Sequence, residues 1–391
     1  MDFRFTAEEE AFRQEVRQFI KENLTVAMTK GEGGGQWSTP EKRSFAKLMS
    51  KKGWIGISWP KEYGGQGKPG IYQYILTDEL SAALAPHTGG GVGTIGATLM
   101  HHASEAMKRD ILPRIIAADI EFAIGYSEPN AGSDLASVET RAELKGDEYV
   151  INGQKLWTSA AHFADYFWLV LRTDQQAPKH KGISLFLFPM KMPGIRLEPI
   201  YKIGDMRNNV VFLDNVRVPR TALVGEANKG WYYVAEALDH ERSHLFPFGP
   251  IKRSMERLRM LARSAPASVK GTPYWKVLRH RVAEREIETQ VQHVFSLRVL
   301  DIERRKGVAN VEASISKVFG TELQIRLAQT NYQMASHFGE LRHASRHHVV
   351  GDIVGDMARA YEASLIPPVA GGANEINRTV IATRGLGLPR G

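Results

Sequence analysis

Two segments hold the residue types best suited to chemistry: GYSEPNAGSDLAS, Gly125 to Ser137, and INGQKLWTS, Ile151 to Ser159. Glycines such as Gly125 and Gly132 permit close backbone approach and leave main-chain N–H groups free to meet carbonyl or phosphate oxygens. Ser127 and Ser133 set hydroxyls around them, with Pro129 between. Trp157 supplies one broad aromatic face, and Ser159, two residues on and expected on the same strand face, supplies a hydroxyl for a ring nitrogen. A flat cofactor with a polar edge suits that set, and a flavin held against a β-domain is the reading that joins the two segments. Taken one residue at a time, the same positions describe a turn followed by a half-buried strand.

Other chemistries are narrowed by what the chain lacks. There are no cysteines, so disulfides, thiolate zinc sites, iron–sulfur clusters and a cysteine nucleophile are excluded. That absence fits a reducing cytosol, and a cytoplasmic location is expected. No Rossmann glycine fingerprint and no P-loop follows any predicted strand. His337, His343, His347 and His348 lie close together, and His343 and His347 share a helical face. A metal would need a further matched ligand, so a surface helix or a phosphate contact is expected there and no metal site. His101-His102 reads the same way. The net charge of +8 favours an anionic ligand. Its basic residues are scattered, which argues against nucleic acid, and a polyphosphorylated small molecule such as coenzyme A fits the charge as well. The N-terminus, MDFRFTAEEE, is acidic and lacks a secretory pattern, and apolar runs such as Phe167–Leu171 and Ile183–Met190 are too short to span a bilayer.

The elements that position these residues fall into three zones along 391 residues, a length for two to three domains. Residues 1–120 read as helical. Thr6 with Glu9 forms a capping box ahead of the stripe Phe12, Val16, Phe19 and Ile20, and Thr39-Pro40 opens a second helix. Helical patterns resume at Ile71–Leu84 and Ala103–Ala117, and the Trp54–Trp59 aromatics read as core or domain-interface packing. Residues 121–228 change to short β-rich runs at 149–151, 166–172, 183–188, 195–200 and 210–218. Lys145-Gly146-Asp147 and Asn152-Gly153 read as turns between them, so an antiparallel barrel or sandwich is expected. Residues 229–391 return to long helices with short connections, the pattern of an antiparallel bundle.

Read together, the two segments, the VRVP ending at Val216–Pro219 and the closing NEINR resemble the acyl-CoA dehydrogenases over nearly the whole chain. The resemblance implies an α+β architecture: an N-terminal α-helical domain, a middle antiparallel β-domain and a C-terminal four-helix bundle, with FAD between the last two. By motif position, Ile124, Gly125, Tyr126, Ser127, Gly132 and Ser133 would contact FAD, with Ser133 also near the substrate's pantetheine or phosphate region. Trp157, Thr158 and Ser159 would lie at the isoalloxazine, and Asn374 and Glu375 would contact the cofactor from the closing loop.

The family's reaction needs a carboxylate to remove the proton α to a thioester while the flavin takes the β-hydride. Much of the family carries that carboxylate in a tyrosine-glutamate-glycine motif just before the segment matching NEINR. Here the chain reads Ala370-Gly371-Gly372-Ala373-Asn374-Glu375, with Gly371 at the base position. A minority branch carries the glutamate on the first bundle helix, where this chain has Asp239-His240-Glu241-Arg242. Glu241 is then the expected base, Arg242 a positioner of base or substrate, and Asp239 a substrate contact. Family patterns that reach a neighbour's ADP group are replaced here by KGTPYWKVLRHR (Lys270–Arg281) and SHFGELRHASR (Ser336–Arg346). This combination resembles the catalytic subunit of heterotetrameric acyl-CoA dehydrogenases acting on steroid side-chain thioesters. It implies a paralogous partner subunit, or a homo-oligomer, with an electron-transfer flavoprotein as acceptor. The rival expectations are a site-completing, non-catalytic subunit and a flavoprotein oxidase or monooxygenase on the same fold.

Overall fold

A computed structural model describes residues 4–29, 36–87, 91–244, 248–307, 309–335 and 357–389. The first helix, α1 (Ala7–Asn23), starts as the sequence predicts: the Thr6 hydroxyl accepts from the Glu9 amide and the Glu9 carboxylate accepts from the Thr6 amide. Its buried row is Phe12, Val16 and Phe19. Helix α2 (Pro40–Lys51) is capped by Thr39 with Pro40 at its first turn. Next come α3 (Gly70–Ala82), a π-helical turn at Gly91–Gly96, α4 (Ala97–His102) and α5 (Glu105–Ile116), the last capped by Ser104.

The chain then enters β1 (Phe122–Gly125), β2 (Arg141–Lys145), β3 (Glu148–Thr158), β4 (Tyr166–Arg172), β5 (Ile183–Pro189), β6 (Ile195–Lys202) and β7 (Met206–Pro219). They form one sheet in the order β1-β4-β2-β3-β7-β6, with β5 also paired to β4. Most pairs are antiparallel, as expected. The exceptions are β1, which runs parallel to β4 from Phe122↔Tyr166 to Gly125↔Leu169, and the single β2–β4 contact at Arg141↔Arg172. The Lys145-Gly146-Asp147 turn joins β2 to β3, with Gly146 at φ 65°. Asn152-Gly153 forms no turn. It lies inside β3 at a register shift, where a Cβ on Gly153 would come within 2.5 Å of the Thr140 hydroxyl. A bulge there lets a continuous strand bend without breaking.

Strand β4 explains its own uninterrupted apolar sequence. Trp168 and Val170 join the core built by the N-terminal helices, while Phe167, Leu169 and Leu171 join a second core on the opposite face. Strand alternation delivers successive side chains to two different cores, so neither set has a polar face to show. At the head of β1, the buried Glu121 carboxylate accepts from the Trp37 amide at 2.8 Å, and the Asp165 carboxylate accepts from the Glu121 amide and from Arg43. Burial pushes the Glu121 carboxyl up to about 7, against the lowering effect of the amides it accepts from.

The C-terminal part begins with α6 (Gly230–His244), α7 (Gly249–Ser264) and the short α8 (Ala267–Lys270). The 34-residue α9 (Pro273–Lys306) and α10 (Asn310–Ala335) follow. Last are α11 (Met357–Ser364) and α12 (Asn374–Val380). Helix α10 packs on α6, α7 and α9, giving the bundle, and Ile251, Met255 and Leu258 of α7 meet Leu323 and Leu327 of α10 at its centre. Among the described residues no helix is long and apolar enough to cross a membrane.

Candidate active site

The first segment leaves β1 through Gly125, where a Cβ would stand 2.5 Å from the Phe167 ring and 2.9 Å from Leu169, so only glycine fits. It then turns tightly: the Glu128 amide donates to the Ala131 carbonyl at 2.9 Å and the Ala131 amide returns a bond to Glu128 at 3.2 Å. That turn lifts Gly132 and Ser133 into solvent, and a Cβ on Gly132 would meet nothing within 4 Å. Tyr126 points inward enough for its hydroxyl to accept from Trp168 at 3.1 Å, and Ser127 is half-buried.

The second segment is bolted to the first. The Leu156 amide donates to the Ser127 carbonyl at 2.8 Å. The Lys155 ammonium donates to the Tyr126 carbonyl at 3.1 Å and to the Glu128 carboxylate at 2.6 Å, with both charged side chains buried. Glu128 also accepts from the Glu139 and Thr140 amides. Complete burial pushes Lys155 down to about 8 despite its carboxylate partner. Burial alone would raise Glu128, but Lys155 and the amide donors outweigh it and hold the carboxyl below its ordinary value. From sequence, Glu128 falls within the stretch expected to contact FAD, Lys155 has no expected role, and nothing indicates that the two pair. Each lies inside a recognised segment, and the one available signal was a charge at an inward strand position.

Past Lys155 the strand breaks register, and Trp157 sits at φ 60° with half its surface exposed. A left-handed tryptophan costs roughly 1–3 kcal/mol and persists only where its surroundings impose it. Here the surroundings are two asparagines of β7. The Asn208 side-chain amide donates to the Trp157 carbonyl and, at 3.4 Å, to the Ser159 hydroxyl, while Asn209 donates to the Thr158 carbonyl at 3.0 Å. Trp157 and Ser159 therefore do not alternate along one regular strand face: strand β3 ends at Thr158, and Ser159 lies in the following turn. Both remain exposed, whereas Thr158 is fully buried with its hydroxyl unpartnered. An open glycine, a held-out indole and the exposed Ser159 hydroxyl fit the polar-edged flavin that the motifs imply.

Two further elements carry the remaining expected residues. Helix α6 packs on β5, on the π-helical turn and on α10, with Val234 and Ala237 buried. Position 241 follows them at helical spacing, so it falls on the same face of the helix. The side chains of Asp239, His240, Glu241 and Arg242 lie outside the described residues. In the closing loop, Gly371 and Gly372 have φ 61° and 85°. The buried Lys317 ammonium gathers that loop, donating to the carbonyls of Pro368 at 3.1 Å and Gly372 at 2.8 Å and to the Asn374 side chain at 2.8 Å. The Asn374 amide in turn donates to Thr321. The Asn374 side chain is thus engaged inside the bundle, and Glu375 is the exposed one of the pair, in the first turn of α12. Burial pushes Lys317 down to about 8.

Of the segments replacing the family's ADP-contacting patterns, the first contains the Thr272 cap and Pro273 start of α9. The second, with His337 and His343, lies outside the described residues, as do His347 and His348 that follow it. His101 and His102 are brought against Glu236 of α6, a carboxylate 135 and 134 residues away that the pair alone does not reveal.

Three family models match in succession: the acyl-CoA dehydrogenase N-terminal domain over residues 6–119, the middle domain over 123–216 and the C-terminal domain over 228–386. Acyl-CoA dehydrogenase FadE26 of Mycobacterium tuberculosis is 34% identical over 404 aligned residues, covering 100% of this chain and 99% of that protein. Among solved structures, the Tcur3481-Tcur3483 steroid ACAD matches with a TM-score of 0.92 at 35% identity, covering 100% of both chains. The ChsE4-ChsE5 complex from Mycobacterium tuberculosis matches with a TM-score of 0.89 at 33% identity, again over 100% of both.

Proposed function

This chain belongs to the acyl-CoA dehydrogenase family of FAD-dependent oxidoreductases acting on CH–CH groups, and from that membership we propose that it desaturates a bulky, steroid side-chain acyl-CoA as one subunit of a heteromer. The observation that carries the reading is the bolted pair of segments, which holds an exposed indole and an open glycine at one place on the sheet. Ile124 to Ser127, Gly132 and Ser133 would line the cofactor from one side, Trp157 to Ser159 from the other, and Glu375 from the loop. FAD, when bound, supplies the electron acceptor for the two electrons leaving the substrate.

In the proposed mechanism the chain's own residues hold the thioester and move its proton. Glu241 removes the α-proton, since the glycines at 371 and 372 offer no carboxylate. Arg242 and Asp239 orient the base and the acyl-CoA. The glycines at 371 and 372 carry no side chain to fill the space beside the site, which suits a large acyl group, and the similarity to the steroid ACAD and to the ChsE4-ChsE5 complex supports the substrate class and the partner. Electrons then pass to an electron-transfer flavoprotein.

The test is Glu241→Gln in the chain purified with its partner. The variant is expected to remain yellow and FAD-loaded, with turnover lost and no bleaching of the flavin by a steroid side-chain acyl-CoA under anaerobic conditions. Full activity in that variant removes Glu241 from the mechanism. Absence of bleaching in the unsubstituted complex by any acyl-CoA of a panel supports the site-completing reading instead.

A further inference from the structure

A second constellation uses none of the residues assigned to flavin. His101 and His102 end α4, and Glu236 stands in the second turn of α6. His101 Nδ1 is 2.5 Å from one Glu236 carboxylate oxygen and His102 Nε2 is 2.8 Å from the other. One ligand atom from each residue falls within 4.8 Å of the other two. The His102 ring is held by stacking on Tyr233, with centroids 4.2 Å apart and planes 24° apart. Tyr233 is itself fixed, its hydroxyl accepting from the Glu226 amide. Side-chain exposures of 55%, 25% and 36% for His101, His102 and Glu236 leave the group open to solvent on one side.

Two imidazoles and one carboxylate form a three-ligand set of the kind zinc takes, with ligand bonds of about 2.0–2.2 Å. Tetrahedral bonds of that length place ligand atoms about 3.3 Å apart, a spacing within the 4.8 Å span already present. Imidazole nitrogens favour zinc, copper or nickel and disfavour magnesium and calcium. We propose that His101, His102 and Glu236 bind a divalent ion of the zinc class, clipping α4 to α6. The competing description is a pair of histidine–carboxylate hydrogen bonds with no ion. Through Glu236 the clip grips the helix on which position 241 lies one and a half turns further along. The site does not depend on the reaction assigned above, because its test reads binding and not turnover.

The experiment takes the full chain with its flavin and partner, strips it with a chelator and titrates zinc chloride by calorimetry. The expected result is zinc uptake at a site that excess magnesium chloride does not compete for, with a thermal midpoint that rises with free zinc. His102→Gln and Glu236→Gln are each expected to lower the affinity of that site by about tenfold or more and to abolish the zinc-dependent rise. No zinc uptake by the unsubstituted protein overturns the proposal. So does uptake with the same affinity in both variants, which would assign the ion to other histidines of the chain.

Discussion

The ammonium of Lys155 has no exposure at all, and one carboxylate, on Glu128, balances it. Removing one member of a buried pair strands the other, at a cost of about 3–5 kcal/mol. Lys155→Met is therefore expected to lower the thermal midpoint strongly and to release flavin on gel filtration, because Tyr126 and Glu128 lose their shared donor. Glu128→Gln together with Lys155→Met is expected to recover part of that stability, since no buried charge is then left alone. Equal midpoints for the single and double variants would show that the pair is not the bolt. That the two segments belong together was legible in their composition. How they are joined was not, because Lys155 and Glu128 meet across 27 residues of chain. The reading of Trp157 and Ser159 on one strand face missed the left-handed tryptophan, which Asn208 and Asn209 impose from a strand about fifty residues later.

At the level of elements, helices were more legible than strand boundaries. The Thr6 and Thr39 caps are local signals and the structure contains both. The short β2 escaped because its residues are mostly exposed and carry little apolar alternation, and Asn152-Gly153 looked like a turn because a bulge and a turn use the same glycine. The closing loop depends on Lys317, which donates to three acceptors between residues 368 and 374. Lys317→Met takes one donor from each of these acceptors, which keep bonds from the Asn374 amide, the Asn377 side chain and the Thr321 hydroxyl, so a loss of about 1 kcal/mol or more is expected, read as a lower thermal midpoint and faster proteolysis of the loop. Strand β1 hangs on Glu121, whose carboxyl is raised to about 7 in the fold from an ordinary 4.5. A raised carboxyl contributes stability that is fully present below the unfolded value and lost as pH rises through the folded one. Stability should thus decline between about pH 4.5 and 7 by at most about 3 kcal/mol from this group. Midpoints measured across that range should fall less steeply for Glu121→Gln, and parallel profiles would remove Glu121 as the cause.

Across the whole molecule the α-then-β-then-α order was readable because the apolar period changes along the chain, and the family architecture follows it. The way the parts share cores was not readable. One face of the sheet completes the core of the N-terminal helices, so the first two zones are packed as one body. If the proposed partner supplies ADP contacts, the chain expressed alone should carry well under one FAD per chain, and co-expression with the paralogue should restore it. A stable homo-oligomer with one FAD per chain would rule the requirement out. The double-faced β4 has one more consequence. Most half-buried strands keep their register because a one-residue slip would drive polar side chains inward. In β4 both faces are apolar from Phe167 to Leu171, so polarity cannot police the register and shape must. Gly125 leaves room beside Phe167 and Leu169 alone, and a slip would press the far larger Trp168 against that notch. The absent side chain that begins the first segment thus also serves as the keyway that indexes the central strand.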